Sequence, residues 1–210
     1  MVLDYRWSKI FIIIIIFFGF FFQSPGVYGQ GKKNKLDISR PEFFWALSHP
    51  FKIKKALNAS RIALQITDSI EADSSLKDRS GGQLDAFKHG LWMALLTQEV
   101  GRKAALKLGN AHEKANYLNY KRGRPYSSHK HSVMDSLNNL SGAEFGEKYK
   151  SRKELINEII DGIRNGDFYM LKKNSSGQYI DCHGNIIIAD LNLWERNECL
   201  IRTDNREIGG

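Results

Sequence analysis

The chain has 210 residues, is 42% hydrophobic and carries a formal net charge of +8. That apolar content is ample for a core and excludes a disordered chain dominated by its charges, and the length suits one ordinary domain. A basic surplus suits anionic partners such as an envelope polymer or a membrane surface. No specific nucleic-acid motif is present, and oligomeric state is left open.

Arg6 and Lys9 precede an apolar run from Ile10 to Phe22, followed by Ser24, Pro25 and Gly26 and by the small-residue pattern of Val27 and Gly29. The run is short for a membrane span, which takes ~20 residues. Residues 1–29 therefore read as a secretory signal peptide cut before Gln30, with an uncleaved anchor as the rival reading. Export to the periplasm, the cell surface or the medium follows. Cys182 and Cys199 are the two cysteines, and an even pair in an oxidising compartment reads as one disulfide.

After a polar leader over 30–40, Ser39 and Pro41 predict a helix that stops before Pro50. Its aromatics Phe43, Phe44 and Trp45 are expected in the core. A second helix is expected from Pro50 to about Ile70, with Ile53, Leu57, Leu64 and Ile66 among its apolar positions. EADSSLKDRSGG then makes a loop. Helices at about 83–100, 102–120 and 130–148 follow. Ser151 and Glu154 predict a capping box for another, with Gly166 as its stop. From Phe168 the pattern turns to short β-prone runs, FYML, QYI, NIIIA and ECLIR. The expected fold is mainly α: a bundle of about six helices over 41–166, with a β-rich, disulfide-tied appendix over 167–210.

In the third helix Asp85, His89 and Trp92 fall on one stripe of a segment that is otherwise nearly all apolar, so the stripe is buried. A lone carboxylate there would need a partner. The next helix sets His112 in the line Ala105, Leu108, Ala115, which marks His112 as inward, with Glu113 to one side. The helix after it carries Asp135, Asn139, Gly142 and Gly146 on one line, with Asn138 beside it; two glycines on a line predict close approach of another element. Three helices thus aim polar groups inward.

Three chemical readings are open. Asp85, His89, His112, Glu113 and Asp135 are suitable types for a metal site between helices, with His89, His112 and Asp135 as the leading ligands of a divalent cation of unknown identity. No HExxH is present. A His and a carboxylate also suffice for metal-free acid/base work, and the same residues could form a satisfied buried network that only fixes packing. Trp92, Asn138 and Asn139 are candidate substrate contacts. His129 and His131 in SSHKHS read as exposed loop histidines, His183 as exposed, and His49 as part of a helix boundary.

GGQLDAFKHGLWMALLTQEVG, KLGNAHEKANY and MDSLNNLSGAEFG together resemble an uncharacterised family of bacterial exported domains with D-A-[FYA]-[RK]-H-x-x-W, A-H-E and M-D-x-x-N-N motifs. The likeness covers about Phe43 to Gly146, and the tail with DCHGN and a late Trp is similar to Bacteroidetes-type members. It implies emphasis on Asp85, His89, Trp92, His112, Glu113, Asp135, Asn138 and Asn139, with Lys88 where arginine is commoner, and no settled activity. The resulting expectation is a hydrolase of unknown substrate or, alternatively, a non-enzymatic envelope or binding module.

Overall fold

Ser39 opens the first helix by accepting a hydrogen bond from Glu42 N–H, and Pro41 occupies its first turn. The computed structural model describes residues 39–73, 75–188 and 193–208; the signal-peptide and leader readings lie almost wholly outside them. Helix α1 spans Arg40–Ser48. A 3-10 turn over Pro50–Lys52 leads into α2, Ile53–Ala72. Then come α3 (Gln83–Val100), α4 (Arg102–Lys121), α5 (His129–Lys148) and α6 (Arg152–Asn165).

Gly166 ends α6 in the left-handed region at φ 81°. That is the conformation in which glycine terminates a helix at least cost. The capping box expected there does not form, because the Ser151 side chain makes no cap hydrogen bond. The tail contributes one two-stranded antiparallel sheet, β1 (Tyr169–Leu171) with β2 (Leu200–Arg202), and three isolated bridges. Among the described residues of NIIIA, Ile186 bridges to Ile180, Ile187 N–H donates to Tyr179 O, and Ile188 is exposed. Cys182 and Cys199 form the disulfide. The fold is mainly α with a small C-terminal sheet.

Helix α3 is the axis of the molecule. Phe87, Leu91, Met93 and Leu96 are wholly buried, and it packs against α2, α4, α5, α6 and β1. Helix α2 faces it with a line of small residues, Ala56, Ala59, Ser60, Ala63 and Thr67, while Leu57, Leu64 and Ile66 are only half-buried. Small side chains let the two backbones close up; the larger residues seal the flanks. Phe44, expected in the core, is 65% exposed, since its position in α1 turns it away from Trp45 and Ala46.

The closest crossing is between α3 and α5. A Cβ on Gly142 would stand 2.3 Å from Gly90 O, and one on Gly146 would stand 2.4 Å from Ala94 O. Position 90 against 142 and 94 against 146 means the helices run parallel. One turn before this contact, α3 presents Asp85 and His89 and α5 presents Asp135 and Asn139. The crossing thus fixes the distance between the two polar stripes. No helix among the described residues is long and apolar enough to cross a membrane.

Candidate metal and acid/base centre

Asp85 and Asp135 converge on one imidazole. His89 Nε2 lies 3.7 Å from Asp85 Oδ1 and 3.4 Å from Asp135 Oδ1. One ligand atom from each of the three residues lies within 4.8 Å of the others. All three are buried.

Asp85 is held in place from two sides. Gly81 N–H donates to its Oδ2 at 2.7 Å, and Lys88 Nζ donates to its Oδ1 at 2.5 Å. Gly81 sits at φ 73°, and a side chain there would press on Tyr179 and His131, so glycine is what allows this loop to fold over the start of α3. Burial alone would raise the Asp85 carboxyl, but the Lys88 charge and hydrogen bond, with the His89 and Gly81 contacts, together outweigh it and hold the group below its ordinary value. Burial likewise works against the Lys88 ammonium, and Asp85 and Asp135 outweigh it and keep Lys88 raised.

Asp135 Oδ1 has no hydrogen bond among the described residues, and the Lys88 charge only partly offsets its burial. Burial, with the Glu113 and Asp85 charges beside it, pushes its carboxyl well above the ordinary range. Burial also raises Glu113. For His89, burial and then Lys88 depress the imidazole to about 3, leaving it neutral at physiological pH, the form that ligates metals.

The sequence line through His112 pointed one residue off. Glu113 is buried, whereas the His112 side chain keeps 22% exposure. His112 Nδ1 meets Glu42 Oε1 at 3.0 Å, and its ring centroid stands 6.5 Å from that of His89. Burial would lower this imidazole, but the Glu42 contact and the Glu113 charge prevail and raise it. Among the described residues, the trio with ligand atoms in mutual reach is Asp85, His89 and Asp135; His112, expected with His89 and Asp135, instead pairs with Glu42.

Glu42, which the sequence reading passed over, is 4% exposed and also accepts from Ser39 Oγ. Its only sequence signal is being the lone acid in RPEFFWALS.

Two of the three expected substrate contacts are bonded within the protein. Asn138 spends its whole amide on the Tyr169 main chain, donating to the carbonyl at 3.0 Å and accepting from N–H at 2.8 Å; it anchors β1 to α5. Trp92 is buried, and its indole N–H donates to Ser60 Oγ. Asn139 lies at the cluster, where its Oδ1 and His89 Nδ1 both lack a hydrogen bond of ordinary geometry among the described residues. The amide is still close enough to favour protonated His89, so the contact is a long or bent one.

His131, expected on an exposed loop, is buried in the first turn of α5, between Ser128 Oγ at 2.9 Å and Tyr179 OH at 3.0 Å. His129 is half-buried near Trp194, and His183 is exposed. The surface groove bounded by Leu137, Leu140, Glu144, Phe145 and Arg202 lies on the other side of α5 and includes none of the cluster.

A family model described as "Domain of unknown function (DUF6973)" matches residues 43–167. The chain belongs to that family. No curated protein and no solved structure matches it. The DUF6973 match reaches past Gly146 to take in α6, and it contains Asp85, His89, His112, Glu113 and Asp135. Glu42 and the disulfide-tied tail fall outside it.

Proposed function

We propose that this DUF6973 protein is an exported metal-dependent hydrolase whose cation is held by Asp85, His89 and Asp135. The observation that carries the reading is the charge balance at the cluster. Asp85, Asp135, Glu113 and Glu42 bring four buried carboxyls to adjoining positions, against Lys88 and His112 as cationic partners. Carboxyls outnumber cationic groups there, and a divalent cation would supply the missing positive charge. Uncompensated carboxyls in a dry site take up protons instead, and the upward push on Asp135 and Glu113 is that response.

A network that served packing alone would satisfy its members. Here Asp135 Oδ1 and Glu113 Oε1 have no hydrogen bond of ordinary geometry among the described residues. Two carboxylate oxygens and one imidazole nitrogen suit zinc, manganese or iron(II). Such an ion supplies Lewis acidity toward an ester oxygen and toward water. Hydrolysis forms a bond from the water oxygen to the electrophilic centre and breaks the bond to the leaving oxygen. Glu113 would take the proton that water loses and return it to the leaving oxygen, a role suited to a carboxyl that burial has raised. Export is supported by the Cys182–Cys199 disulfide.

The test is metal content of the purified chain by mass spectrometry beside His89→Ala and Asp135→Ala, with a panel of chromogenic esters assayed before and after chelation. One ion per chain, lost in both variants along with ester cleavage, is the expected outcome. Metal-free protein whose variants differ only in stability would contradict the reading.

A further inference from the structure

Three large apolar side chains stand in solvent at the corner where α1 meets α2. Phe44 is 65% exposed, Leu47 47% and Phe51 93%. Single exposed apolar residues are ordinary on a protein surface, but three so close in the chain form a patch. Their outward aim follows from what α1 buries. Glu42, Trp45 and Ala46 take its inward side, which leaves Phe44 and Leu47, one helical turn apart, on the outward one. The chain then turns at His49, whose ring stacks on Trp45 with centroids 4.9 Å apart, and the 3-10 turn carries Phe51 outward. The corner is clamped to the body of the molecule. The Trp45 indole N–H donates to Ala104 O at 2.9 Å, and Lys52 Nζ donates to Val100 O at 2.6 Å.

Charge decides what covers this patch. From Phe43 to Thr67 the sequence has four Lys and Arg residues and no Asp or Glu. Lys54 and Lys55, in the first turn of α2, are exposed, as is Arg40 at the start of α1. Glu42, the acid of α1, is buried against Ser39 and His112. A second copy of the chain is a poor cover, because symmetric pairing would set the two lysines against their own counterparts, and like charges repel. An anionic bilayer offers the complement: negative headgroups for the lysines and an apolar layer below them for the rings. Binding to such a surface scales with buried apolar area plus the attraction of cations to anionic lipid. The corner supplies both.

We propose that this corner docks the protein on an anionic phospholipid bilayer. Phe44, Leu47 and Phe51 enter the boundary between headgroups and acyl chains, and Lys54 and Lys55 meet the lipid phosphates. The contact uses none of Asp85, His89 and Asp135, so it is independent of the metal reading.

The experiment places a nitroxide on Phe44→Cys, on Phe51→Cys and, as a control, on Ser176→Cys in an exposed turn of the tail, with the Cys182–Cys199 bridge left closed. Collisions with oxygen and with a water-soluble nickel chelate, read by electron paramagnetic resonance, place each label in lipid or in water. On vesicles of phosphatidylcholine mixed with phosphatidylglycerol, the labels at 44 and 51 should gain oxygen collisions and lose nickel collisions, while the label at 176 stays in water. On phosphatidylcholine alone all three should stay in water. Lys54→Gln with Lys55→Gln should raise the lipid concentration needed for half of that change roughly thirtyfold. Phe51→Ser, read from the label at 44, should raise it about tenfold or more. Every substituted side chain is exposed, so the fold tolerates the changes. Labels at 44 and 51 that remain in water on the anionic vesicles overturn the proposal. An equal response to neutral vesicles overturns it too, and so does spin–spin broadening between labels at 51 without lipid, which gives the corner to a second copy.

Discussion

His112 and Glu113 are adjacent in sequence and meet opposite environments: the histidine keeps a foothold in solvent, and the acid is shut in. Consecutive helical residues differ by about 100° around the axis, and an apolar line such as Ala105, Leu108 and Ala115 does not resolve which of two neighbours lies nearer its centre. The polar stripe of Asp85 and His89 was legible because the rest of α3 is apolar and leaves those two residues nowhere else to face. Glu42 was not, because its partner His112 lies 70 positions away and periodicity reports a direction, never a partner. The burial of Glu113 has a measurable cost. Its folded-state value is raised, so wild-type stability is fully present below the unfolded value near 4.5 and declines as pH rises through the folded one. Glu113→Gln should match wild type in chelated buffer at low pH and become more stable by about 1 kcal/mol or more at pH 7, a rise of roughly 2–4 °C in melting temperature. Urea titrations across that range check it.

At the scale of elements, the crossing of α3 on α5 decides whether a site exists at all. Gly142 and Gly146 announced it in the sequence, since two glycines on one helical line make sense when another backbone fills their place. Gly142→Ala puts a methyl group against the Gly90 main chain at 2.3 Å, where the obstacle is backbone and cannot rotate away. The expected loss is about 2–4 kcal/mol, read as a fall in melting temperature, with weakened metal uptake because the α3 and α5 stripes are driven apart. Helix ends were legible where a local device sets them, as at Ser39 and Gly166. The capping box at Ser151 failed because Ser and Glu at the right spacing permit the hydrogen bonds without requiring them. The run NIIIA reads as a strand, yet with Ile188 87% exposed it has no apolar surface to lie on, and pairing there stops at one bridge.

For the whole molecule, the tail serves as a brace for the helical body. Leu171 N–H donates to Gly81 O, Asn138 grips Tyr169, and Tyr179 OH donates to Ser80 O. The first and last of these contacts bear on the loop whose Gly81 holds Asp85, and the second ties β1 to α5. The disulfide closes a separation of 17 residues within this brace, and opening a loop of that size costs about 3 kcal/mol. Cys182→Ala with Cys199→Ala should lower the melting temperature by roughly 6–12 °C while leaving the helical circular dichroism intact. Mn²⁺ affinity should fall several-fold as Gly81 loosens its hold, and unchanged affinity would show the loop to be self-supporting. The central claim is a cation on three named side chains from α3 and α5. Anomalous diffraction at the manganese edge from a crystal grown with Mn²⁺ tests it most directly. A single strong peak bonded to Asp85, His89 Nε2 and Asp135 is the predicted result; a crystal of the Mn²⁺-treated protein with no peak at those residues, or with its strongest peak elsewhere on the chain, would contradict it.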